Sequence, residues 1–313
     1  MNDFLWVEKY RPQEVEDCIL PASVKQTFQS FIEQGEIPNL LLSGTAGVGK
    51  TTIAKALCNE LGADYYVING SDEGRFLDTV RNQAKSFAST VSLTSSSRHK
   101  VLIIDEADNT TPDVQLLLRA SIEEFQKNCR FIFTCNFKNK IIEPLHSRTT
   151  VVEFNVRGQT KQELAGAFFN RCRDILQREE VTFQPRVVAE VVQKYFPDFR
   201  RTLNELQRYA STGSIDTGIL ATLGDANVDT LVEALRNKKF NDVKKWVTQN
   251  LDSDPASIMR KLYDNLSSVM DGPSVAAAVL IIAEYQYKSA FVVDQEINLL
   301  ACLTQLMLEC NFK

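Results

Sequence analysis

The chain has only two histidines, and its seven cysteines are scattered without a CxxC pair. His99 and His146 have no ligand partners at useful spacing, so hydrogen-bonded or solvent-facing roles are expected for them rather than metal binding. Cys18, Cys58, Cys129, Cys135, Cys172, Cys302 and Cys310 frame neither a zinc ribbon nor a secreted disulfide scaffold, and a reducing cytosol suits them best. Long hydrophobic runs are also missing. The longest, Val275 to Ala283, falls far short of the ~18 apolar residues of a membrane span and reads as a buried helix, so no membrane partner is expected. Phe4 to Val7 is a short apolar patch between Asp3 and Glu8, which argues against a signal peptide. Positive charge is not in excess: a net charge of -5 gives no general attraction for nucleic acid, so any such site must be a local cluster of Lys and Arg.

What remains is an ordinary globular composition, 44% hydrophobic and 24% charged, over 313 residues. That length predicts one main domain with one or two smaller ones. The first half alternates short apolar runs with amphipathic stretches. Leu40 to Leu42, Tyr65 to Ile68, Val101 to Ile104, Phe131 to Thr134 and Val151 to Phe154 read as buried parallel strands separated by helices. Ser92 to Ser97 reads as a surface loop.

After Phe154 helix signals take over. Thr160 and Glu163 form a capping-box pattern, and Leu164, Phe168, Cys172, Ile175 and Leu176 make one apolar stripe. Helices are predicted from about Arg186 to Tyr195 and from about Phe199 to Tyr209, the second capped by Asp198. Ser211 to Thr217 reads as a break, and a last helical block runs from about Asp225 to the end.

The strongest chemical signal is GTAGVGKT, Gly44 to Thr51, placed between a strand and a helix. Its glycines let backbone amides turn onto phosphate oxygens. Lys50 is positioned to pair with the outer phosphates and the Thr51 hydroxyl to ligate magnesium. A second strand ends in Asp105 and Glu106, the pairing expected when one carboxylate holds the metal and its neighbour polarises an attacking water. An acidic pair after a strand is often just a helix cap. Behind a phosphate loop that reading becomes the weaker one. Phosphoryl transfer also needs a polar group and cations near the outer phosphate, and Asn136, Arg148 and Arg200 are the candidates. Taken singly, each would more simply be a turn residue or a surface ion pair.

Taken together, EKYRP (Glu8 to Pro12), GTAGVGKT, DEAD (Asp105 to Asp108), the strand ending at Asn136, HSR (His146 to Arg148) and FPDFRRTLNELQ (Phe196 to Gln207) resemble the sliding-clamp-loader ATPases of the AAA+ superfamily. The resemblance covers the first two thirds of the chain, and EKYRP is a signature of clamp loaders rather than of AAA+ proteins in general. NGSD (Asn69 to Asp72) and FPDFR, with the length, are most similar to the large-subunit branch of the T-even bacteriophages, which is replication factor C small-subunit-like.

This resemblance implies an α/β fold: an AAA+ P-loop domain with a five-stranded parallel sheet over 1–156, an all-helical lid over 157–224 and an all-helical collar for oligomerisation over 225–313. It implies ATP and Mg2+ as cofactors. Tyr10, Arg11, Pro12 and Ile19 would surround the adenine. Gly44, Thr45, Ala46, Gly47, Val48 and Gly49 would enclose the phosphates with Lys50, Thr51 and Thr52. Thr51 and Asp105 would hold the metal, Glu106 would activate water, Asn136 would be the first sensor, and Arg200 the second sensor in the lid. Arg148 would be an arginine finger reaching the ATP of a neighbouring subunit. Ser147, Arg148 and Thr149 depart from the family's Ser-Arg-Cys, but the arginine is retained.

The implied partners are a sliding clamp, primer-template DNA, a companion subunit and further copies of this chain in a spiral. The implied place of work is the cytoplasm, that of an infected bacterial cell if the chain is of phage origin. Arg75, Arg81, Lys85 and Arg119 stand where such proteins track DNA phosphates, although each alone could be a solvated basic face. Two other readings stay open at this point: another AAA+ DNA-remodelling motor or helicase loader, and a scaffold that binds ATP without turnover. EKYRP and the Ser-Arg pair weigh against the first, and Glu106 against the second.

Overall fold

The apolar runs of the first half form a five-stranded parallel sheet in the computed structural model, which describes residues 4–71, 85–89, 99–156, 158–211, 213–217, 228–250, 255–289 and 291–313. The strands are β1 (Leu40–Ser43), β2 (Tyr65–Asn69), β3 (Lys100–Asp105), β4 (Cys129–Cys135) and β5 (Thr150–Glu153), in the spatial order β2-β3-β4-β1-β5. Around them lie the helices α1 (Trp6–Lys9), α2 (Ala22–Gln34), α3 (Lys50–Glu60), α4 (Lys85–Ser89), α5 (Pro112–Phe125) and α6 (Glu143–His146).

Alternate residues of each strand face opposite sides of the sheet. Leu40, Leu42, Val101, Ile103 and Ile132 pack with Phe28 of α2 and with Ile53 and Leu57 of α3. Leu41, Leu102, Ile104, Phe131 and Phe133 pack on the other side with Val114, Leu118 and Ile122 of α5. Each such side chain contributes about 1.5–3 kcal/mol through burial, so covering both faces fixes the central strands firmly. The outer strands are less buried than the sequence predicts. Tyr66 in β2 and Val151 in β5 are exposed, because each strand has a neighbour on one side only. The register pairs Ser43 with Cys135 and Asn69 with Asp105. The carboxyl ends of the central strands therefore finish on one level, the edge where parallel α/β sheets bind ligands.

Three further helices follow: α7 (Gly158–Arg178), α8 (Pro185–Tyr195) and α9 (Phe199–Ala210). A short parallel pair, β6 (Thr182–Phe183) with β7 (Ser214–Ile215), adds strand structure where the sequence shows none. Helix α7 starts at Gly158, so Thr160 sits inside its first turn and is not the N-cap that its spacing from Glu163 suggests. The stripe from Leu164 to Leu176 is buried as expected. Asp198 does cap α9, its Oδ1 accepting the Arg201 N–H at 2.9 Å.

The chain divides into two compact units, Met1–Ile219 and Leu220–Lys313. In the second, α10 (Val228–Arg236), α11 (Phe240–Gln249), α12 (Pro255–Val269), α13 (Gly272–Ser289) and α14 (Gln295–Glu309) close around Leu235, Trp246, Leu262, Ile282 and Leu303. The apolar run Val275 to Ala283 lies in α13 and is buried on one side only. Ala278, Ile281 and Ile282 enter the core, whereas Leu280 is 73% exposed, since a continuous run on a helix wraps all round it. Among the described residues no helix is long and apolar enough to cross a membrane.

Candidate active site

The phosphate-loop sequence lies between the buried end of β1 and the first residue of α3. The Gly44 N–H donates to the Cys135 carbonyl at 3.2 Å, which ties the start of the loop to β4. Lys50 opens α3 with its side chain turned back under the loop. Its Nζ donates to the carbonyls of Gly44 and Thr45 at 2.8 Å each and to Asn136 Oδ1 at 2.9 Å. Burial holds this ammonium below the usual lysine range. Arg200 pushes the same way, and Cys135, Asp105 and Asp108 oppose it.

Gly47 has φ +75°, and a Cβ built on it would lie 1.9 Å from Asp198 Oδ1. Its carbonyl accepts the Phe199 N–H at 3.1 Å. The phosphate loop and the first turn of α9 are thus in direct backbone contact, a fit that only glycine permits.

The acidic pair is organised by one threonine. Asp105 Oδ1 accepts from the Thr51 hydroxyl at 2.7 Å and from the Thr134 hydroxyl at 2.5 Å, while Thr134 Oγ1 accepts the Glu106 N–H at 3.0 Å. Glu106 has φ 54°, left-handed and rare for a non-glycine residue. Gly70 allows it, because a Cβ there would lie 2.5 Å from the Glu106 carbonyl oxygen. The strained backbone turns Glu106 out of the strand direction, and Asn109 Nδ2 donates to its carboxylate at 3.2 Å. Asp108 is buried, and its Oδ2 accepts the N–H groups of Asn136 and Phe137 at 3.1 Å each. That fixes where Asn136 stands beside Lys50.

One cleft joins these groups. Its lining includes Ala46 to Thr52, Asp105, Glu106, Thr134 and Asn136, and from the other side Tyr10, Arg11, Pro12, Ile19, Phe168 and Arg200. Arg11 reaches Thr52 Oγ1 at 3.2 Å. The amino-terminal segment is strapped to the helices over the cleft. Lys9 Nζ and the Tyr10 hydroxyl donate to Glu179 Oε1 at 2.6 and 2.5 Å, and the Trp6 N–H donates to Gln207 Oε1 at 3.0 Å. Lys9 first and Tyr10 second hold the Glu179 carboxyl below its usual range. The cleft brings the loop, the Lys50 ammonium and the guanidinium groups of Arg11, Arg171 and Arg200 together with the apolar side chains of Ile19, Val48 and Phe168, a lining that suits a flat base joined to a polyphosphate. The Thr51 hydroxyl and Asp105 carboxylate are hard oxygen donors suited to Mg2+.

Not every candidate residue lines this cleft. Gly44 and Thr45 contribute their carbonyls to Lys50 instead. Arg148 is elsewhere: its Nε and Nη2 donate to Glu123 Oε1 at 2.9 and 2.6 Å, and its Nη1 to Pro144 O and Ser147 Oγ at 3.0 and 3.2 Å. Arg119 Nη2 lies 3.4 Å from the same Glu123 oxygen. Arg75 and Arg81 fall outside the described residues, as does the side chain of Lys85. Sequence reasoning missed Thr134, Asp108, Arg171, Glu179 and Glu123. Asp108 carried a signal as the last residue of DEAD, and Thr134 as a hydroxyl inside the apolar strand Phe131 to Cys135.

The strand order, the phosphate loop after β1 and the acidic pair after β3 define a P-loop nucleotide-binding ATPase of the AAA+ kind. Residues 40–156 match the ATPase family associated with various cellular activities (AAA). Residues 161–221 match the AAA+ ATPase lid domain of the sliding-clamp-loader large subunit. The sliding-clamp-loader large subunit of Escherichia phage RB69 is 34% identical over 98% of this chain and 96% of its own length. The replication factor C small subunit of Saccharolobus solfataricus is 30% identical over 99% and 96% respectively. A solved structure of a RuvB mutant from Thermotoga maritima shares the fold, with TM-score 0.56 and 19% identity over 86% of this chain and 85% of that one. The chain belongs to the sliding-clamp-loader family of AAA+ ATPases.

Proposed function

We propose that the chain is an ATPase subunit of a clamp-loading machine, which uses ATP binding to open a ring-shaped clamp and place it on primer-template DNA. In this reading DNA triggers hydrolysis and release. The observation that carries the mechanism is a division of labour. Lys50, Thr51, Asp105, Glu106, Asn136 and Arg200 share one cleft, while Arg148 lies outside it with its fork held by Glu123. Family membership supports the loader over another AAA+ motor or helicase loader.

Lys50 would bind the outer phosphates, Thr51 and Asp105 would hold Mg2+, and Tyr10, Arg11, Pro12 and Ile19 would border the base. The metal would supply charge neutralisation at the outer phosphates. Glu106, held to Thr134 through its backbone, would take the proton of the attacking water. Asn136 and Arg200 would report the state of the outer phosphate, and Arg148 would complete a neighbouring subunit's site. Residues 1–156, 157–224 and 225–313 would act as nucleotide domain, lid and collar. Further copies of this chain, a companion subunit, the clamp and DNA would be its partners in the cytoplasm. Arg75, Arg81, Lys85 and Arg119 would meet DNA phosphates, and binding should then weaken steeply with salt.

Arg148→Ala tests the composite site. ATP binding should persist, and DNA-stimulated hydrolysis should fall by about 10³-fold or more, the range typical of arginine fingers. Full stimulated turnover in that variant would sink the assignment.

A further inference from the structure

We infer that Glu123 is a positioning residue for Arg148, and that through its second contact with Arg119 it couples the arginine's placement to an anion bound at Arg119. The inference rests on the finger reading of Arg148 given above.

Glu123 stands in the last turn of α5, one helical turn beyond Arg119 on the same face. Arg148 follows α6. One carboxylate oxygen, Glu123 Oε1, receives both Nε and Nη2 of Arg148, and Nη1 is held by Pro144 O and Ser147 Oγ. A guanidinium has five N–H donors, and these bonds leave about one of them, on Nη2, free to point outward. The side chain therefore has a fixed direction before any neighbouring subunit arrives, which lowers the cost of ordering it on assembly. Glu123 is ionised throughout the neutral range, since Arg148 first and Arg119 next hold its carboxyl below the usual value.

The pair does little for the fold. The side chains of Glu123 and Arg148 are 51% and 30% exposed, and exposed ion pairs contribute little to stability. Position, not stability, is what the contact provides.

Arg119 shares the same oxygen at a looser 3.4 Å, and its Nε is buried with no hydrogen-bond partner among the described residues. The Nη2 contact is the weaker of the two on this oxygen, 3.4 Å against 2.6 Å for Arg148, so a phosphate that binds the Arg119 Nη2 displaces the carboxylate from Arg119 and not from Arg148. When it does, Glu123 keeps Arg148 as its sole cationic partner, and the grip on Arg148 tightens. An anion at Arg119 and a well-aimed Arg148 thus favour each other through one carboxylate.

The test uses the assembled complex of the full chain with its companion subunit, clamp and primed DNA. Glu123→Ala should lower stimulated kcat by about 10- to 100-fold, as a misplacement of roughly 1 Å does, with KM for ATP and melting temperature unchanged. Glu123→Gln keeps the accepting oxygen and should recover most of that loss. In an Arg148→Ala background Glu123→Ala should cost nothing further. A normal kcat in Glu123→Ala, a loss additive with Arg148→Ala, or a raised KM at normal kcat would overturn the inference while leaving the finger intact. Full stimulated turnover in Arg148→Ala alone would remove the finger reading and this inference with it.

Discussion

Gly47→Ala probes the contact between the phosphate loop and the first turn of α9. At φ +75° an alanine is left-handed, which costs roughly 1–2 kcal/mol. Its Cβ would lie 1.9 Å from Asp198 Oδ1 and 3.1 Å from Asp198 Cα, so the carboxylate must move away. That breaks the cap on the Arg201 N–H, worth about 1 kcal/mol. The sum is about 2–3 kcal/mol, equivalent to a melting point lower by roughly 4–12 °C for a unit of this size. Arg200 lies two positions beyond Asp198 and moves with it. Nucleotide affinity should therefore fall at least about tenfold, equivalent to ~1.4 kcal/mol. Thermal melting and titration with a fluorescent ATP analogue read both effects. In an Asp198→Ala background the cap is already gone, so Gly47→Ala should cost about 1 kcal/mol less than in the wild type. A Gly47→Ala protein that melts within about 1 °C of wild type and binds nucleotide normally would refute the reasoning, as would strict additivity with Asp198→Ala.

Two further predictions follow from the cleft. Thr134→Val leaves the half-buried Glu106 N–H without its acceptor and should destabilise by about 1–3 kcal/mol. Because Asp105 and Glu106 lose their shared brace, steady-state kinetics should show kcat falling more than KM rises; the reverse pattern would show that Thr134 serves only binding. Lys50 is the cleft ammonium that burial holds below the usual lysine range. Its folded pKa is depressed, so the unfolded chain binds more protons in the window between the folded value and the ordinary lysine value. Across that window the stability of the nucleotide-free protein should rise with pH. ATP affinity, which needs the ammonium, should decline over the same range. Lys50→Met should lack this alkaline limb, and an affinity flat up to the ordinary lysine range would contradict the assignment.

Much of the fold was legible because its signals are local. Leu40 to Leu42, Val101 to Ile104 and Phe131 to Thr134 are continuous apolar runs, and each became a central strand extended by one to three residues. Asp198 was readable as a cap because capping depends on neighbours within one turn. The phosphate loop was legible for the same reason: its residues are consecutive, and Lys50 meets Asn136 only because β1 and β4 are adjacent. What escaped depends on contacts distant in sequence. Nothing near Thr134 says that it will brace Asp105 and Glu106, and nothing near Glu123 says that it will hold Arg148. The Thr160 cap failed because Gly158 and its neighbour entered the helix first, one turn ahead of the pattern. The exposure of Tyr66 and Val151 was hidden because strand order, and hence which strands are edges, is not written in a strand's own residues.

The most direct test of the loader reading is ATP turnover by the chain with its companion subunit, measured alone, with primed DNA, with clamp, and with both. The account predicts that clamp and primed DNA together stimulate turnover well beyond either one. Full stimulation by DNA alone, indifferent to clamp, would contradict it and point to a motor, and no turnover under any of the four conditions would contradict it in favour of a nucleotide-bound scaffold.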